Sequence, residues 1–361
     1  MKAAAMEINR PEHGGNIYRV SEETGIPAAE LMDFSASINP LGISDRVKEV
    51  IEAELDNLVH YPDPDAFELR QKIARLHNID FESIICGNGS TELIYLLPAA
   101  LKPGKVLVSA PAFSEYEKAI KNGEIKKLTL KKEDGYKIIT REFIEAMQGC
   151  DMAFLCNPNN PTGDLLSKEE VIGIAEAARE LKCLLVVDEA FIDFCPGDSV
   201  IGHVRDNPYL IVLRSMTKFY AITGLRAGYG VFHPEIIKRI MEFKEPWTMN
   251  TLAQKAAVAA IEDRDYMERT MDIIRNEKEF IENGLRDIGI AFLPSAVNFY
   301  LLRTGNSGRI CQGMKEKGII VRDCSNFMGL DDSYLRVAVK SRKDNEIMLI
   351  GLSRLCGKGP S

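Results

Sequence analysis

No Cys-x-x-Cys or Cys-x-x-His pair occurs in these 361 residues, although eight cysteines are present. Zinc ribbons and redox dithiols need such close spacing, so the pattern argues against both. The cysteines (86, 150, 156, 183, 195, 311, 324 and 356) are scattered. Several sit in apolar runs such as Ile84-Ile85-Cys86 and Cys183-Leu184-Leu185, as expected of reduced core thiols in a cytoplasmic protein. Histidine is scarce, with five residues that share no spacing, so no metal is expected. Basic residues never gather into a run or a basic helix. With a net charge of -8, this argues against nucleic acid or an anionic membrane as partner. Long hydrophobic runs are missing too. From Met1 to Gly15 there is only a brief alanine run, too short for a signal-peptide core or an anchor, and Met1 and Met6 both offer starts. There is no internal repeat and no low-complexity linker.

What is present is the composition of a globular chain, 45% hydrophobic and 27% charged, long enough for two lobes. From about residue 80 to 232 short apolar runs alternate with amphipathic stretches. The expected strands are Ile84-Cys86, Val106-Ser109, Ile125-Leu130, Ala153-Cys156, Leu184-Asp188, Leu210-Leu213 and Gly228-Phe232. Helices are expected at Glu92–Leu101, Glu115–Asn122, Lys168–Leu181 and Asp198–Asp206, with Ser167 capping the third. Such alternation predicts an α/β fold, a mostly parallel sheet covered by helices on both faces, with ligands at the carboxyl ends of the strands. Past Trp247 the pattern becomes α+β. Helices are expected at Thr251–Ile261, Asp265–Ile288, Ser307–Lys317 and Asp344–Leu355, and strands at Asn298–Leu302 and Tyr334–Val339. The expected division is an N-terminal arm packing with the small lobe (1–40), a large domain (41–247) and a small C-terminal domain (248–361).

Four segments carry chemistry. Gly87-Asn88-Gly89-Ser90-Thr91-Glu92 follows a strand and opens a helix, whose free amides attract phosphate; a capped glycine turn is the plain alternative. Asn157-Pro158-Asn159-Asn160-Pro161-Thr162-Gly163 follows a buried strand and is over-specified for a simple turn. Asp188 ends the apolar strand Leu184-Leu185-Val186-Val187, where a carboxylate is costly without a cationic partner; capping the next element is the plain alternative. Finally, Ser215-Met216-Thr217-Lys218 follows the apolar strand Leu210–Leu213, and Arg226 closes the segment. A lysine amine forms a Schiff base with an aldehyde cofactor, and a serine with an arginine can hold that cofactor's phosphate.

In this order and combination the segments resemble the fold-type I pyridoxal-phosphate (PLP) enzymes, the aminotransferase-like family, over nearly the whole chain. The resemblance implies a large PLP-binding domain and a smaller α+β domain. It implies that Lys218 is the Schiff-base lysine, that Asp188 pairs with the pyridine nitrogen, and that Gly89, Ser90, Thr91, Ser215 and Arg226 bind the cofactor phosphate. The resemblance further implies that Phe113, in Pro111-Ala112-Phe113-Ser114-Glu115-Tyr116, is the ring-stacking aromatic and that Asn160 bonds the ring oxygen and the substrate. Tyr61, in His60-Tyr61-Pro62-Asp63, resembles the tyrosine that reaches the neighbouring subunit's cofactor, which implies a homodimer. By the same resemblance Arg336, in Tyr334-Leu335-Arg336-Val337, is expected to be the substrate-carboxylate arginine.

Within the family, three features resemble the threonine-phosphate decarboxylases of cobalamin biosynthesis more than the histidinol-phosphate aminotransferases. They are His13-Gly14-Gly15-Asn16-Ile17, the run Asp33-Phe34-Ser35-Ala36-Ser37-Ile38-Asn39-Pro40-Leu41-Gly42, and Phe191, where those aminotransferases usually place a tyrosine. The implied substrate is O-phospho-L-threonine, held by His13, Gly14, Ser37, Asn160, Arg322 and Arg336, and the product is aminopropanol phosphate. Ser37 departs from the decarboxylase pattern, which usually has asparagine there, so phosphoserine is an alternative substrate. Histidinol-phosphate aminotransferase is the other enzymatic reading. A non-catalytic PLP-binding scaffold is a third, opposed by the joint presence of Lys218, Asp188 and both arginines.

Overall fold

The structure is a computed structural model and describes residues 13–356. The alanine run and both methionine starts lie outside the described residues. The centre is a seven-stranded sheet in the order Ile84–Asn88, Ala227–Val231, Leu210–Ser215, Leu184–Asp188, Met152–Cys156, Lys105–Ala110, Glu124–Thr129. Only Ala227–Val231 runs against its neighbours; the other pairs are parallel. The inner strands are buried on both faces, which explains their unbroken apolar runs. Side chains alternate between two cores. Phe154, Val186 and Ile211 pack with Leu93, Ile94 and Leu97 of the helix Ser90–Leu101. Leu155, Leu185 and Val212 face the other way, with Val171, Ile174 and Ala178 of the helix Lys168–Leu181. Each leucine-sized side chain buried this way contributes about 1.5–3 kcal/mol. Helix Lys168–Leu181 starts where expected because Ser167 and Glu170 form a reciprocal capping box.

A second, antiparallel sheet has the order Arg322–Asp323, Tyr334–Ala338, Phe299–Arg303, Ala291–Phe292. Helices Arg264–Asp287, Ser307–Lys315 and Arg342–Cys356 belong to the same part of the chain. The N-terminal segment joins it. Met32–Asp33 pairs in parallel with Ile319–Ile320, and Ala338 N–H donates to Phe34 O at 2.9 Å. This tie carries Ser35, Ala36 and Ser37 towards the strand that bears Arg336.

Two expected helices fail locally. Asp198–Asp206 is not an α-helix but two 3-10 segments, Pro196–Asp198 and Ile201–Asp206. Glu189 draws the intervening donors away, accepting from Ser199 Oγ at 2.7 Å and Val200 N–H at 2.8 Å. The helix expected at Glu115–Asn122 stops at Ala119, ahead of Asn122-Gly123. Five helices were not anticipated: Ile17–Thr24, Asp45–Ala53, Phe67–His77, Thr140–Met147 and Pro234–Met241. No helix among the described residues is long and apolar enough to cross a membrane, and no cluster of metal-binding side chains occurs among them.

Candidate active site

One edge of the seven-stranded sheet receives side chains from six distant segments. The parallel strands end there: Asn88 leads into Gly89 and Ser90, Ala110 into Phe113, Cys156 into Asn160, and Asp188 and Ser215 are terminal strand residues. Because Ala227–Val231 runs in the opposite sense, the residue that precedes it, Arg226, reaches the same edge. A cavity of about 370 Å³ opens at this edge. Its walls include Ser90, Thr91, Phe113, Asn160, Asp188, Ser215, Lys218 and Arg226, together with His13, Gly14, Ser37, Phe191, Arg322 and Arg336. Gly89 lies behind the wall. Its φ of +75° suits glycine, and a Cβ there would fall 2.7 Å from Arg226 Nη2. Tyr61 is the one expected residue kept away: it is 82% exposed, with its ring 5.1 Å from that of Trp247.

Asp188 is buried at the cavity floor. Its Oδ2 accepts from the Tyr116 hydroxyl at 2.6 Å and its Oδ1 from Ala190 N–H at 3.0 Å. Burial pushes its carboxyl pKa up, against those two hydrogen bonds and the pull of Lys218. The Lys218 amine is brought down to about 8, chiefly by burial and then by the guanidiniums of Arg226 and Arg336; Asp188 opposes the shift. At the other end of the floor, Ser215 and Thr217 hydroxyls lie 2.7 Å apart, beside the N-terminus of the helix Ser90–Leu101.

The second sheet supplies two arginines. Arg322 and Arg336 are direct cross-strand partners, so two guanidinium-bearing residues stand opposite each other. Arg336 donates to Asn160 Oδ1 and, at 2.8 Å, to Ser35 O, while its Nε finds no protein acceptor. Burial lowers its pKa to about 10, and Arg322 adds to that fall. Arg322 donates to Asn326 Oδ1 at 2.8 Å and lies over the Phe327 ring. Like charges placed directly opposite on paired strands destabilise the pair.

His13 is held by Glu115, which its Nε2 meets at 2.7 Å; Tyr95 donates to the same carboxylate at 2.6 Å. Ser37 is 1% exposed and its Oγ has no protein partner. Phe191 packs edge-on against Phe299 with centroids 5.1 Å apart, as well as lining the cavity. Sequence reasoning missed the roles of Tyr116, Thr217 and Glu115. Tyr116 carries no local signal for a bond to a carboxylate 72 residues away. Thr217 was legible as a second hydroxyl beside Ser215.

The profile of aminotransferase class I and II matches residues 29–354. The chain belongs to that family. Threonine-phosphate decarboxylase of Salmonella typhimurium is 37% identical, over 99% of this chain and 100% of its own length. Among solved structures, histidinol-phosphate aminotransferase of Clostridium acetobutylicum superposes with a TM-score of 0.85 at 32% identity, covering 91% of this chain and 100% of that one. L-threonine-O-3-phosphate decarboxylase of Porphyromonas gingivalis gives 0.81 at 29%, with the same coverage. The fold is therefore shared by proteins of both names and does not by itself separate the two activities.

The family cofactor is pyridoxal 5'-phosphate, and the residues present fit it. Asp188 is a buried carboxylate whose hydrogen-bond partners in the protein are a hydroxyl and an amide, which leaves its charge for a cationic ring nitrogen. A lysine amine with a depressed pKa shares the cavity. Gly89 keeps clear the space beside Arg226 that a Cβ would crowd.

Proposed function

We propose that the protein is a PLP-dependent decarboxylase of O-phospho-L-threonine, releasing CO2 and aminopropanol phosphate for cobalamin biosynthesis. The observation that carries this reading is the register of Arg322 opposite Arg336 at the cavity that holds Lys218. Two opposed guanidiniums suit a substrate with two anionic groups, and phosphothreonine brings a phosphate and a carboxylate. The full-length similarity to the Salmonella decarboxylase supports the same substrate.

Bound in the cavity, the cofactor supplies an electron sink for the substrate's Cα. Lys218 would anchor its aldehyde carbon and afterwards carry a proton to Cα. Asp188 would hold the proton on the ring nitrogen. Ser90, Thr91, Ser215 and Arg226 would grip the phosphate with the helix N-terminus, Gly89 leaving room. Phe113 would support the ring and Asn160 its oxygen. His13, Gly14, Ser37, Asn160, Arg322 and Arg336 would hold the substrate. We place Tyr61 at the partner's cofactor site in a homodimer. The exposed side chains of Leu55, Leu58, Val59 and Tyr61, with Trp247 against Tyr61, support such an interface. Eight unpaired thiols suit a cytoplasmic location.

The test is CO2 release from phosphothreonine by purified protein and PLP with no 2-oxo acid present. Faster transfer of the amino group of histidinol phosphate to 2-oxoglutarate would overturn the decarboxylase reading. Ser37 supports one variant of it, a preference for phosphoserine, which the same assay ranks.

A further inference from the structure

Tyr116 ties together parts of the site that come from three separate elements. It is 1% exposed and sits on the short helix Glu115–Ala119. Its ring stacks on Phe154, with centroids 4.9 Å and planes 11° apart, and meets Phe113 edge-on at 5.7 Å and 82°. Both contacts restrict rotation of the ring, so packing directs the hydroxyl. That hydroxyl donates to Asp188 Oδ2 at 2.6 Å. Burial beside Asp188 holds the phenol well above its usual range, so it keeps its proton and remains a donor.

The chemistry of the pair follows from where it lies. Burial favours the neutral form of Asp188, and a neutral acid cannot hold a proton on a ring nitrogen by charge. A hydrogen bond donated to the carboxylate stabilises the charged form and counters burial. With one carboxylate oxygen held by Tyr116 and the other by Ala190 N–H, the plane of the carboxylate is set by the protein before any ligand arrives.

We propose that Tyr116 is a positioning residue: it keeps Asp188 ionised and oriented, and through Asp188 sets the protonation of the cofactor's ring nitrogen. The inference rests on the reading that Asp188 faces that nitrogen. Filling the core is the competing role, and Tyr116→Phe separates the two, since it keeps the ring contacts and removes only the hydroxyl.

The experiment uses holoenzyme reconstituted with PLP labelled with ¹⁵N in the ring. The nitrogen's chemical shift is followed against pH, beside kcat and KM. Wild type should show a protonated nitrogen at neutral pH, and Asp188→Asn should lose it. Tyr116→Phe should lower the pH at which the nitrogen deprotonates by about one unit or more. It should reduce kcat about ten- to a hundredfold, the effect of one hydrogen bond to a charged group, with KM within about twofold. If Tyr116→Phe does not load cofactor, 3-fluorotyrosine at position 116 keeps the shape and is a stronger donor; it should move the midpoint upward. A wild-type ¹⁵N titration in Tyr116→Phe, or an unmoved midpoint with 3-fluorotyrosine, overturns the inference. A fall in kcat with an unchanged ¹⁵N titration does so too and leaves only the packing role. Should Asp188→Asn keep the nitrogen protonated, the Asp188 reading itself falls, and this inference with it.

Discussion

Lys218 is the residue at which burial and electrostatics act together. Desolvation disfavours its charged form, and the guanidiniums of Arg226 and Arg336 repel it, so the amine titrates at about 8. A lowered lysine pKa means that the neutral nucleophile accumulates as pH rises through that value. The rate of PLP capture by apoenzyme should therefore climb to a half-maximum near pH 8 and then level, as followed by stopped-flow absorbance. A rate still climbing steeply at pH 10 would contradict this. Lys218→Ala should leave turnover below about a thousandth of wild type, measured as CO2 release. Ser37 acts more gently. Phosphothreonine and phosphoserine differ by one methyl group, worth about 1–3 kcal/mol in a shaped pocket. Ser37→Asn replaces a small, unpartnered hydroxyl with a larger carboxamide at a buried wall position. The ratio of kcat/KM for the two substrates should change by more than about threefold in direct competition, whereas an unchanged ratio places specificity elsewhere.

Among the elements, two pairings position the chemistry. The strand Ala227–Val231 turns against its neighbours and so delivers Arg226 from its amino end to an edge built from carboxyl ends. In the smaller sheet, the register of Arg322–Asp323 on Tyr334–Ala338 sets Arg322 opposite Arg336. A slip of one residue would send the side chains of the shorter strand to the other face. Arg322→Met should reduce kcat/KM for phosphothreonine about ten- to a hundredfold, as expected for one charge-assisted contact. Arg322→Lys should fall between, because it keeps the charge and loses the planar fork. Unchanged kcat/KM in Arg322→Met, with an unchanged circular dichroism spectrum, would remove Arg322 from the substrate site. The buried pair of Glu189 and Arg214, 3.0 Å apart, joins the residue after Asp188 to the residue before Ser215. It braces the two strand ends that line the cavity floor.

For the molecule as a whole, a homodimer with composite sites makes a sharp prediction. Lys218→Ala and Tyr61→Ala should each be weakened, but refolding or co-expressing them together should restore up to about a quarter of wild-type activity, because half the dimers then hold one intact site. A mixture no better than its parts, or an active monomer in analytical ultracentrifugation, would refute the composite site. The sequence by itself determined the central sheet and which segments meet at its strand ends. Leu184–Asp188 and Lys168–Leu181 appear with the bounds expected, because a doubly buried apolar run and a Ser167–Glu170 capping box are local physics. The Gly-Asn-Gly-Ser-Thr and Ser-Met-Thr-Lys runs stand out in the sequence because neighbouring residues form each one, and Ser90, Thr91, Ser215 and Lys218 do meet at one cavity. The helix Phe67–His77 was not legible: Ala66 precedes it with a φ of +48° and no side-chain cap, and the helix is held by packing on Thr251–Glu262. Only the tertiary structure decided which way Ala227–Val231 runs, which arginine faces which, and that Tyr116 bonds Asp188 across 72 residues. Each depends on register or packing between segments distant in sequence, where local pattern carries no information about the partner.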